Sequence, residues 1–362
     1  MEWRLGEPDN PTVLVTEFLA AHGLAVGDLS RPGREHDPEA EVCGAGLFLS
    51  AAACAHLIGA PVGAASPAAA VPDMVAVVYS HGARHSGERT ARPWQVGAWE
   101  PSWSPEAHAD AVSAVRAAIA DGDVYQVNLV GHASAPCAGD PVPALSRVAG
   151  LPGARYAGTL TGDGWALACA SPETLVAVAG GQVVTRPIKG TRPATEAGRA
   201  ELLGSAKERA EHVMIVDLER NDLSLVARTG TVRVDELYAI RRWCDLWQAE
   251  SSVSASLAPG VGLADLLAAV CPGGSVTGTP KRAALDLVAK LEPVGRGPSM
   301  GGFGWISGAG LDLGLTIRTV AVDADRVHIW AGGGITWGSD PVAEVAEADA
   351  KAAPLRAALD GV

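Results

Sequence analysis

The fold and the chemistry of this chain are concentrated in residues 171–191, which read SPETLVAVAGGQVVTRPIKGT. Residues 175–178 and 183–185 are short apolar runs, and the Gly180-Gly181 pair between them predicts a two-residue β-hairpin. The pairing that this turn fixes puts Glu173 opposite Ile188, next to Lys189. The sequence therefore predicts that a carboxylate and an amine lie side by side.

An acid beside an amine suits covalent catalysis. The acid can protonate a leaving group while the amine attacks carbon, provided that burial lowers the amine pKa from about 10.4. The alternative is an exposed Glu–Lys pair on a hairpin, because such surface pairs are common and contribute little stability.

Composition limits the possible functions. The chain has 362 residues, enough for about two domains or one large one, and its 41 acidic against 28 basic residues give a net charge of −13. This balance argues against a nucleic-acid partner, which needs a basic face. The six cysteines contain no Cys-x-x-Cys pair, which favours reduced thiols.

No membrane segment is expected. Charged residues occupy the N-terminus where a signal peptide has its apolar core, and the alanine-rich residues 44–71 are interrupted by glycine, proline and histidine. We therefore expect a cytoplasmic protein without a membrane partner.

The chain divides near residue 103. Residues 1–103 carry no recognisable chemistry, and the catalytic region is expected at 104–358. It starts with a helix that Ser104 caps and Gly122 ends.

The next strand is predicted at residues 124–130, with the amides of Gln126 and Asn128 on one face. An edge strand that exposes both amides to water is the alternative to a functional pair.

Two helices with paired glutamates are predicted to begin at Ser205 and Asp340. The glutamates stand at i, i+3 in the first turns: Glu208 and Glu211 on the first helix, Glu344 and Glu347 on the second. Four carboxylates on two helices suit magnesium, which takes oxygen ligands. Taken singly, each pair also fits a capping box or a solvated helix face.

Two glycine-rich segments are expected to present backbone N–H groups to anions. Residues 272–281 form a turn-rich loop that ends in Lys281 and leads into a helix from Arg282, and residues 331–334 form a second loop. A hairpin of residues 315–322 and 327–331 would bring Arg318 near the second loop. Tight-turn geometry is the alternative for both loops.

Six motifs in order resemble those of chorismate-utilising enzymes, and most closely the aminodeoxychorismate synthase component I family. They cover about residues 104–355 and lie at 123–129, 171–173, 187–191, 214–223, 272–281 and 340–351. The resemblance implies an α+β fold with two large β-sheets packed face to face, flanked by helices, and an active site in the cleft between them.

The resemblance also implies the site. Chorismate would be the substrate, and Mg²⁺ would bridge its ring carboxylate to Glu211 and Glu347, with Glu208 and Glu344 in support. The implied substrate-binding positions are Gly190, Thr191, Gln248, Gly278, Arg318, Gly332, Gly334 and Lys351.

Two positions indicate the reaction within the family. Relatives that add water carry a lysine base where this chain has Gln126, and a neutral amide cannot deprotonate water. Anthranilate synthases carry alanine at Lys189. Lysine there implies attack on C2 with Glu173 as general acid, then addition of ammonia at C4 to give 4-amino-4-deoxychorismate.

The chain departs from the family in two places. It reads Gln248-Ala249-Glu250-Ser251 where many relatives have His-Leu-Val-Ser, and Ser299 stands where they have an aromatic residue. Cys43 lacks the context of an amidotransferase nucleophile, so ammonia is expected from a separate glutamine amidotransferase subunit. Anthranilate synthase component I and a catalytically silent chorismate-binding subunit remain the alternatives.

Overall fold

The computed structural model describes residues 1–33, 41–82, 92–243 and 246–361, apart from the side chains of Lys207 and Trp243. Its α-helices are α1 (Pro11–Ala21), α2 (Ala51–Leu57), α3 (Pro105–Ala120), α4 (Val142–Ala149), α5 (Glu196–Gly204), α6 (Ala206–Ser224), α7 (Leu263–Val270), α8 (Lys281–Leu291) and α9 (Pro341–Asp360).

Its strands are β1 (Glu2–Trp3), β2 (Val42–Leu49), β3 (Met74–Ser80), β4 (Gln95–Val96), β5 (Glu100–Pro101), β6 (Gln126–Ala138), β7 (Tyr156–Gly162), β8 (Trp165–Ser171), β9 (Thr174–Ala179), β10 (Gln182–Arg186), β11 (Ile188–Pro193), β12 (Arg233–Trp243), β13 (Leu246–Ser256), β14 (Gly278–Thr279), β15 (Gly302–Ser307), β16 (Gly310–Leu315), β17 (Thr319–Asp323) and β18 (Arg326–Ile335).

These strands form two antiparallel sheets. The first, with ten strands in the described residues, has the order β1-β3-β2-β15-β16-β9-β10-β13-β11, and β12 also pairs with β13. The second, with eight, has the order β14-β6-β18-β17-β8-β7, and β4 and β5 also pair with β6. The expected α+β fold with two sheets and flanking helices is confirmed. The division near residue 103 stays a prediction.

The main core lies between the sheets. It combines side chains of the first sheet, such as Phe48 and Leu313, with Leu167 and Cys169 of β8 in the second. The intervening residues of β8, Ala166 and Ala168, face a separate core under α4 and α9. Strand β8 is therefore buried on both faces, because successive side chains of a strand point to opposite sides.

Local signals are confirmed where hydrogen bonds close over a few residues. Ser104 caps α3 by accepting from the N–H of Ala107, and Ser205 and Asp340 cap α6 and α9 in the same way. In the hairpin, Val183 faces Val178 as predicted, and a β-bulge then shifts the register after Val184.

Two predictions and one alternative about strands and loops are wrong. The glycine run 331–334 belongs to strand β18 and pairs with β6. Residues 315–322 are not one strand, because Leu315 ends β16 and Arg318 has a left-handed φ of 53° before β17. Strand β6 is not at an edge, because β18 pairs with one side and β14, β5 and β4 with the other.

Two expectations concern a membrane-spanning segment and the state of the cysteines. No helix of the described ranges is both long and apolar enough to cross a bilayer. Five of the six cysteines are described and all five are free thiols, whereas Cys244 lies outside the described residues.

Two buried histidines connect β6 and β18 of the second sheet. His132 Nε2 lies 3.1 Å from His328 Nδ1, and a 2.6 Å hydrogen bond joins His132 Nδ1 to Ser102 Oγ. Burial lowers the pKa of His132 to about 3 and that of His328 to about 4. Both rings are therefore neutral in the folded protein at neutral pH.

We expect this pair to make the fold sensitive to acid. Because the folded-state pKa values lie below the usual 6.5, the unfolded chain binds more protons, and stability falls as the pH drops from 6.5 towards 4. The shift of His328 alone corresponds to roughly 3 kcal/mol. Urea unfolding of His328→Gln between pH 4 and 7 should show a weaker pH dependence than the wild type. Replacing the exposed His22 by Gln should leave the dependence unchanged, and equal slopes for His328→Gln and wild type would refute the explanation.

Candidate active site

Lys189 lies at a bulge in β11. It pairs with Ala249 of β13, and the register shifts at Gly190, whose φ is 71°. A Cβ at Gly190 would lie 3.0 Å from Glu208 Oε2 and 2.7 Å from Leu202 Cδ1, so only glycine fits both the backbone and the space. The partly buried Lys189 amine donates to the carbonyl of Ser275 at 3.1 Å.

Glu173 is the buried acid beside this amine. Its side chain is 5% exposed, and its Oε1 accepts from the N–H of Ile188 at 3.3 Å. Burial raises the pKa of Glu173 and lowers the pKa of Lys189, and each charge partly opposes the shift of the other. Both shifts favour the neutral forms, a carboxylic acid and a free amine. The predicted juxtaposition is thus present, and it is not the exposed surface pair.

Gln126 faces the same space from the second sheet. It is fully buried, and neither atom of its amide group has a hydrogen-bond partner in the described part of the chain. A Cβ built on Gly334 would lie 2.3 Å from Gln126 Nε2 and 3.6 Å from Lys189 Nζ. Only glycine at position 334 therefore lets the Gln126 amide approach β18 this closely, on the side where the Lys189 amine lies.

Three of the four predicted carboxylates, Glu211, Glu344 and Glu347, border the end of β18. A Cβ on Gly333 would lie 3.2 Å from Glu344 Oε2 and 3.7 Å from Glu347 Oε1. From α6, Glu211 accepts from the hydroxyl of Thr336 at 3.2 Å, just beyond β18.

The neighbouring Glu208 and Glu347 have cationic partners. Arg192 lies 3.4 Å from Glu208, and Lys351 lies 2.7 Å from Glu347. Within the described residues, no three acidic, histidine or cysteine side chains stand close enough to form a ready metal site. The two helices nevertheless present carboxylates to one end of one strand.

The predicted substrate-binding positions lie on β11, β13, β14, β18 and α9 and, for Arg318, between β16 and β17. Lys351 donates to the carbonyl of Gly332 at 2.9 Å, and Gln248 is buried with an unpartnered Oε1 among the described residues. Thr191 is exposed and pairs with Gln248 across the two strands.

Two other predicted substrate-binding residues, Gly278 and Arg318, make backbone contacts with neighbouring strands. A Cβ on Gly278 would lie 2.1 Å from Gln126 O, so this glycine serves strand pairing with β6. The carbonyl of Arg318 accepts from the N–H of Ala170 at 3.2 Å, and its proximity to the glycine run stays a prediction.

Lys281 pairs with Asp222 at 2.7 Å, so a role of this lysine in binding an anion is not supported.

Several buried polar residues around the site were missed by the sequence reasoning. Glu219 accepts from Thr185 Oγ1 at 2.7 Å, and burial raises its pKa well above the usual value. It stands two turns after Glu211 on α6, so extending the glutamate face along the helix would have found it. Arg155 and Glu250 form an ion pair at 3.2 Å near Glu173, for which the sequence gives no local signal.

His212 was also missed. It is fully buried on α6, and burial, followed by the charge of Lys189, lowers its pKa to about 4. Its position directly after Glu211 was the available signal.

Comparisons with known proteins show which family this chain is similar to. The family described as chorismate binding enzyme matches residues 64–357. Anthranilate synthase component 1 3 of Haloarcula marismortui is 34% identical over 97% of this chain and 70% of its own length. Aminodeoxychorismate synthase component 1 of Bacillus subtilis is 35% identical over 75% of this chain and 59% of its own length.

A solved structure supports the fold. The crystal structure of anthranilate synthase component I from Streptococcus pneumoniae aligns with a TM-score of 0.79 at 24% identity, covering 98% of this chain and 89% of that one. Identity at this level supports the architecture alone.

Proposed function

Because this chain belongs to the family of chorismate-binding enzymes, we propose that it aminates chorismate at C4 and forms 4-amino-4-deoxychorismate. The observation that carries the proposal is the partly buried Lys189 amine next to the buried Glu173 carboxyl, with opposite pKa shifts that favour both neutral forms. A neutral amine is a nucleophile and a neutral carboxyl is a proton donor.

The residues act in sequence in this proposal. The Lys189 nitrogen bonds to C2, the two ring double bonds shift towards C4, and the C4 hydroxyl leaves as water with the proton of Glu173. The resulting Glu173 carboxylate takes the proton released from the Lys189 nitrogen. Ammonia then adds at C4, the double bonds shift back, and the C2–N bond breaks. Glu173 gives its proton to the departing Lys189 nitrogen and takes one from the added ammonia, which frees Lys189 as a neutral amine and restores the acid. Gln126 lines the site with an amide that is no base for water.

Magnesium fits the carboxylates at the end of β18. Its preferred ligands are hard oxygen atoms, and four glutamates from α6 and α9 supply them. We assign Glu211 and Glu347 as its holders, with Glu208 and Glu344 in support. When bound, the ion would neutralise the ring carboxylate of chorismate. Gly190, Thr191, Arg318, Gly332, Gly334 and Lys351 would hold the substrate.

A separate glutamine amidotransferase subunit would supply the ammonia in the cytoplasm. The curated relatives are named as component 1, which fits a reaction shared with a second component. Free ammonium at high concentration would replace that subunit in an assay.

Anthranilate synthesis is the second candidate, because the relative that aligns with 97% of this chain carries that name. The two reactions differ in pyruvate: anthranilate formation releases it and 4-amino-4-deoxychorismate formation retains it. The Lys189–Glu173 pair favours the formation of 4-amino-4-deoxychorismate.

Product analysis tests the proposal. With chorismate, magnesium and ammonium, mass spectrometry should show 4-amino-4-deoxychorismate, and a lactate dehydrogenase assay should show no pyruvate. Without ammonium almost no isochorismate should form, because Gln126 is no base. Stoichiometric pyruvate would assign the protein to anthranilate synthesis, and substantial isochorismate would assign it to hydration.

A further inference from the structure

His212 is a fully buried imidazole to which the proposed reaction assigns no role. Its Nε2 lies 2.5 Å from Oγ of Ser251 on β13. Its Nδ1 is buried and has no hydrogen-bond partner among the residues that the structure describes. A buried donor or acceptor without a partner costs about 1–3 kcal/mol. A bound ligand that pairs with this atom would remove that cost.

The hydrogen bonds of Ser251 fit the His212 tautomer that carries its proton on Nδ1. The Ser251 hydroxyl oxygen accepts from the backbone N–H of Tyr238 at 2.9 Å, so its own proton is available to donate to His212 Nε2. A neutral imidazole has one N–H, and an accepting Nε2 leaves that proton on Nδ1. The atom without a partner is then a hydrogen-bond donor.

The register of β11 and β13 places this donor on the side of the sheet that carries Lys189. Lys189 pairs with Ala249, and Ser251 lies two residues further along β13. Side chains two residues apart on a strand point to the same face, and diagonal neighbours across two strands are about 7–8 Å apart. His212 is bound to Ser251 and is therefore a neighbour of the proposed nucleophile.

The imidazole is held firmly in this position. The ring of Tyr238 meets it edge-on, with 5.2 Å between ring centroids and an angle of 88°. Tyr238 has a left-handed φ of 56°, an unfavourable conformation for a bulky residue, and its hydroxyl donates to the carbonyl of Leu202 at 2.9 Å. The backbone N–H that Tyr238 directs at Ser251 depends on that conformation.

We propose that His212 is a substrate-binding residue whose Nδ1–H donates a hydrogen bond to a carboxylate of the substrate and positions its ring against the Lys189 amine. This inference rests on the proposed reaction of chorismate, which carries two carboxylates. A carboxylate is a strong acceptor, and a hydrogen bond to a charged group contributes about 1.5–3 kcal/mol. The residue binds and orients, and the covalent chemistry stays with Lys189 and Glu173.

Two amide variants separate this role from a structural one. The side-chain nitrogen of asparagine can occupy the place of Nδ1, and the amide of glutamine can occupy the place of Nε2. His212→Gln therefore keeps the bond to Ser251 and loses the proposed substrate contact, whereas His212→Asn does the reverse. The KM for chorismate should rise about tenfold to a hundredfold in His212→Gln and stay within about threefold of the wild type in His212→Asn.

The assay should follow the disappearance of chorismate, so that it is valid for either product. The opposite result is a wild-type KM for chorismate in His212→Gln and a raised KM in His212→Asn. In that case the histidine serves only to hold Ser251, and the inference is wrong. Pyruvate release would refute the proposed reaction and still leave this comparison of KM values intact.

A spectroscopic measurement covers the case in which a variant fails to fold. In the wild-type protein labelled with ¹⁵N-histidine, the Nδ1 resonance of His212 should be that of a protonated nitrogen and Nε2 that of an unprotonated one. Adding chorismate and magnesium without ammonia should shift the Nδ1–H signal. A proton on Nε2, or an Nδ1–H signal that does not respond to chorismate, would overturn the inference.

Discussion

Replacing Lys189 by alanine is expected to lower the rate of 4-amino-4-deoxychorismate formation by about 10³-fold or more, which corresponds to roughly 4 kcal/mol of activation free energy. The variant loses the proposed nucleophile but keeps Glu173 and the carboxylates of α6 and α9. In the wild-type protein, chorismate and magnesium without ammonia should produce an adduct. Intact-mass analysis should show a gain of one chorismate less one water, located in the peptide that contains Lys189, and Lys189→Ala should abolish it.

A lysine elsewhere on the surface provides the control. Lys290 is exposed near the end of α8, so Lys290→Ala should form the adduct and the product as the wild type does. Anthranilate from Lys189→Ala would indicate that ammonia attacks C2 directly once the amine is gone. Wild-type rates of 4-amino-4-deoxychorismate formation in Lys189→Ala would disprove the covalent route.

Replacing Glu347 by glutamine is expected to raise the magnesium concentration for half-maximal activity by about tenfold to a hundredfold. The substitution removes one of the proposed charged oxygen ligands on α9 and preserves the size of the side chain. The fold should persist, because the Glu347–Lys351 pair is about half exposed on both sides, and such pairs add little stability. Initial rates over a magnesium titration, with chorismate and ammonium saturating, give the measurement.

Asp349 on the same helix is the matched control. It pairs with Arg356 at 3.2 Å and is largely exposed, so Asp349→Asn should leave the magnesium dependence unchanged. The same half-maximal concentration in Glu347→Gln and wild type would remove Glu347 from the metal site.

The features that could be predicted from the sequence are those that a few neighbouring residues determine. Side-chain caps start α3, α6 and α9 at Ser104, Ser205 and Asp340, because each oxygen reaches a free N–H three residues ahead. The two-glycine turn likewise sets the register of β9 and β10 as far as Val184. A β-bulge then shifts that register by one residue, but the N–H of Ile188, next to Lys189, still donates to Glu173.

The features that could not be predicted depend on distant partners. The glycines at 332–334 suggest a loop by composition, yet β6 supplies a strand partner about 200 residues earlier in the chain. The burial of Gln126 has the same origin, because it requires β14 on one side and β18 on the other. The relation between His212 and Ser251 depends on the packing of α6 against β13, which local patterns do not encode.

The strand order of the first sheet limits how far the chain can be shortened from its N-terminus without exposing a strand edge. The family match begins at residue 64, but β15, which precedes β16 in the sheet, takes its other partner from β2 at Val42–Leu49. A fragment of residues 64–357 would leave β15 with an open edge and β3 without either of its partners, β1 and β2. Open strand edges pair with other chains, so such a fragment would be prone to aggregate. The segment with no recognisable chemistry therefore supplies the three strands at the far side of the sheet that carries Lys189.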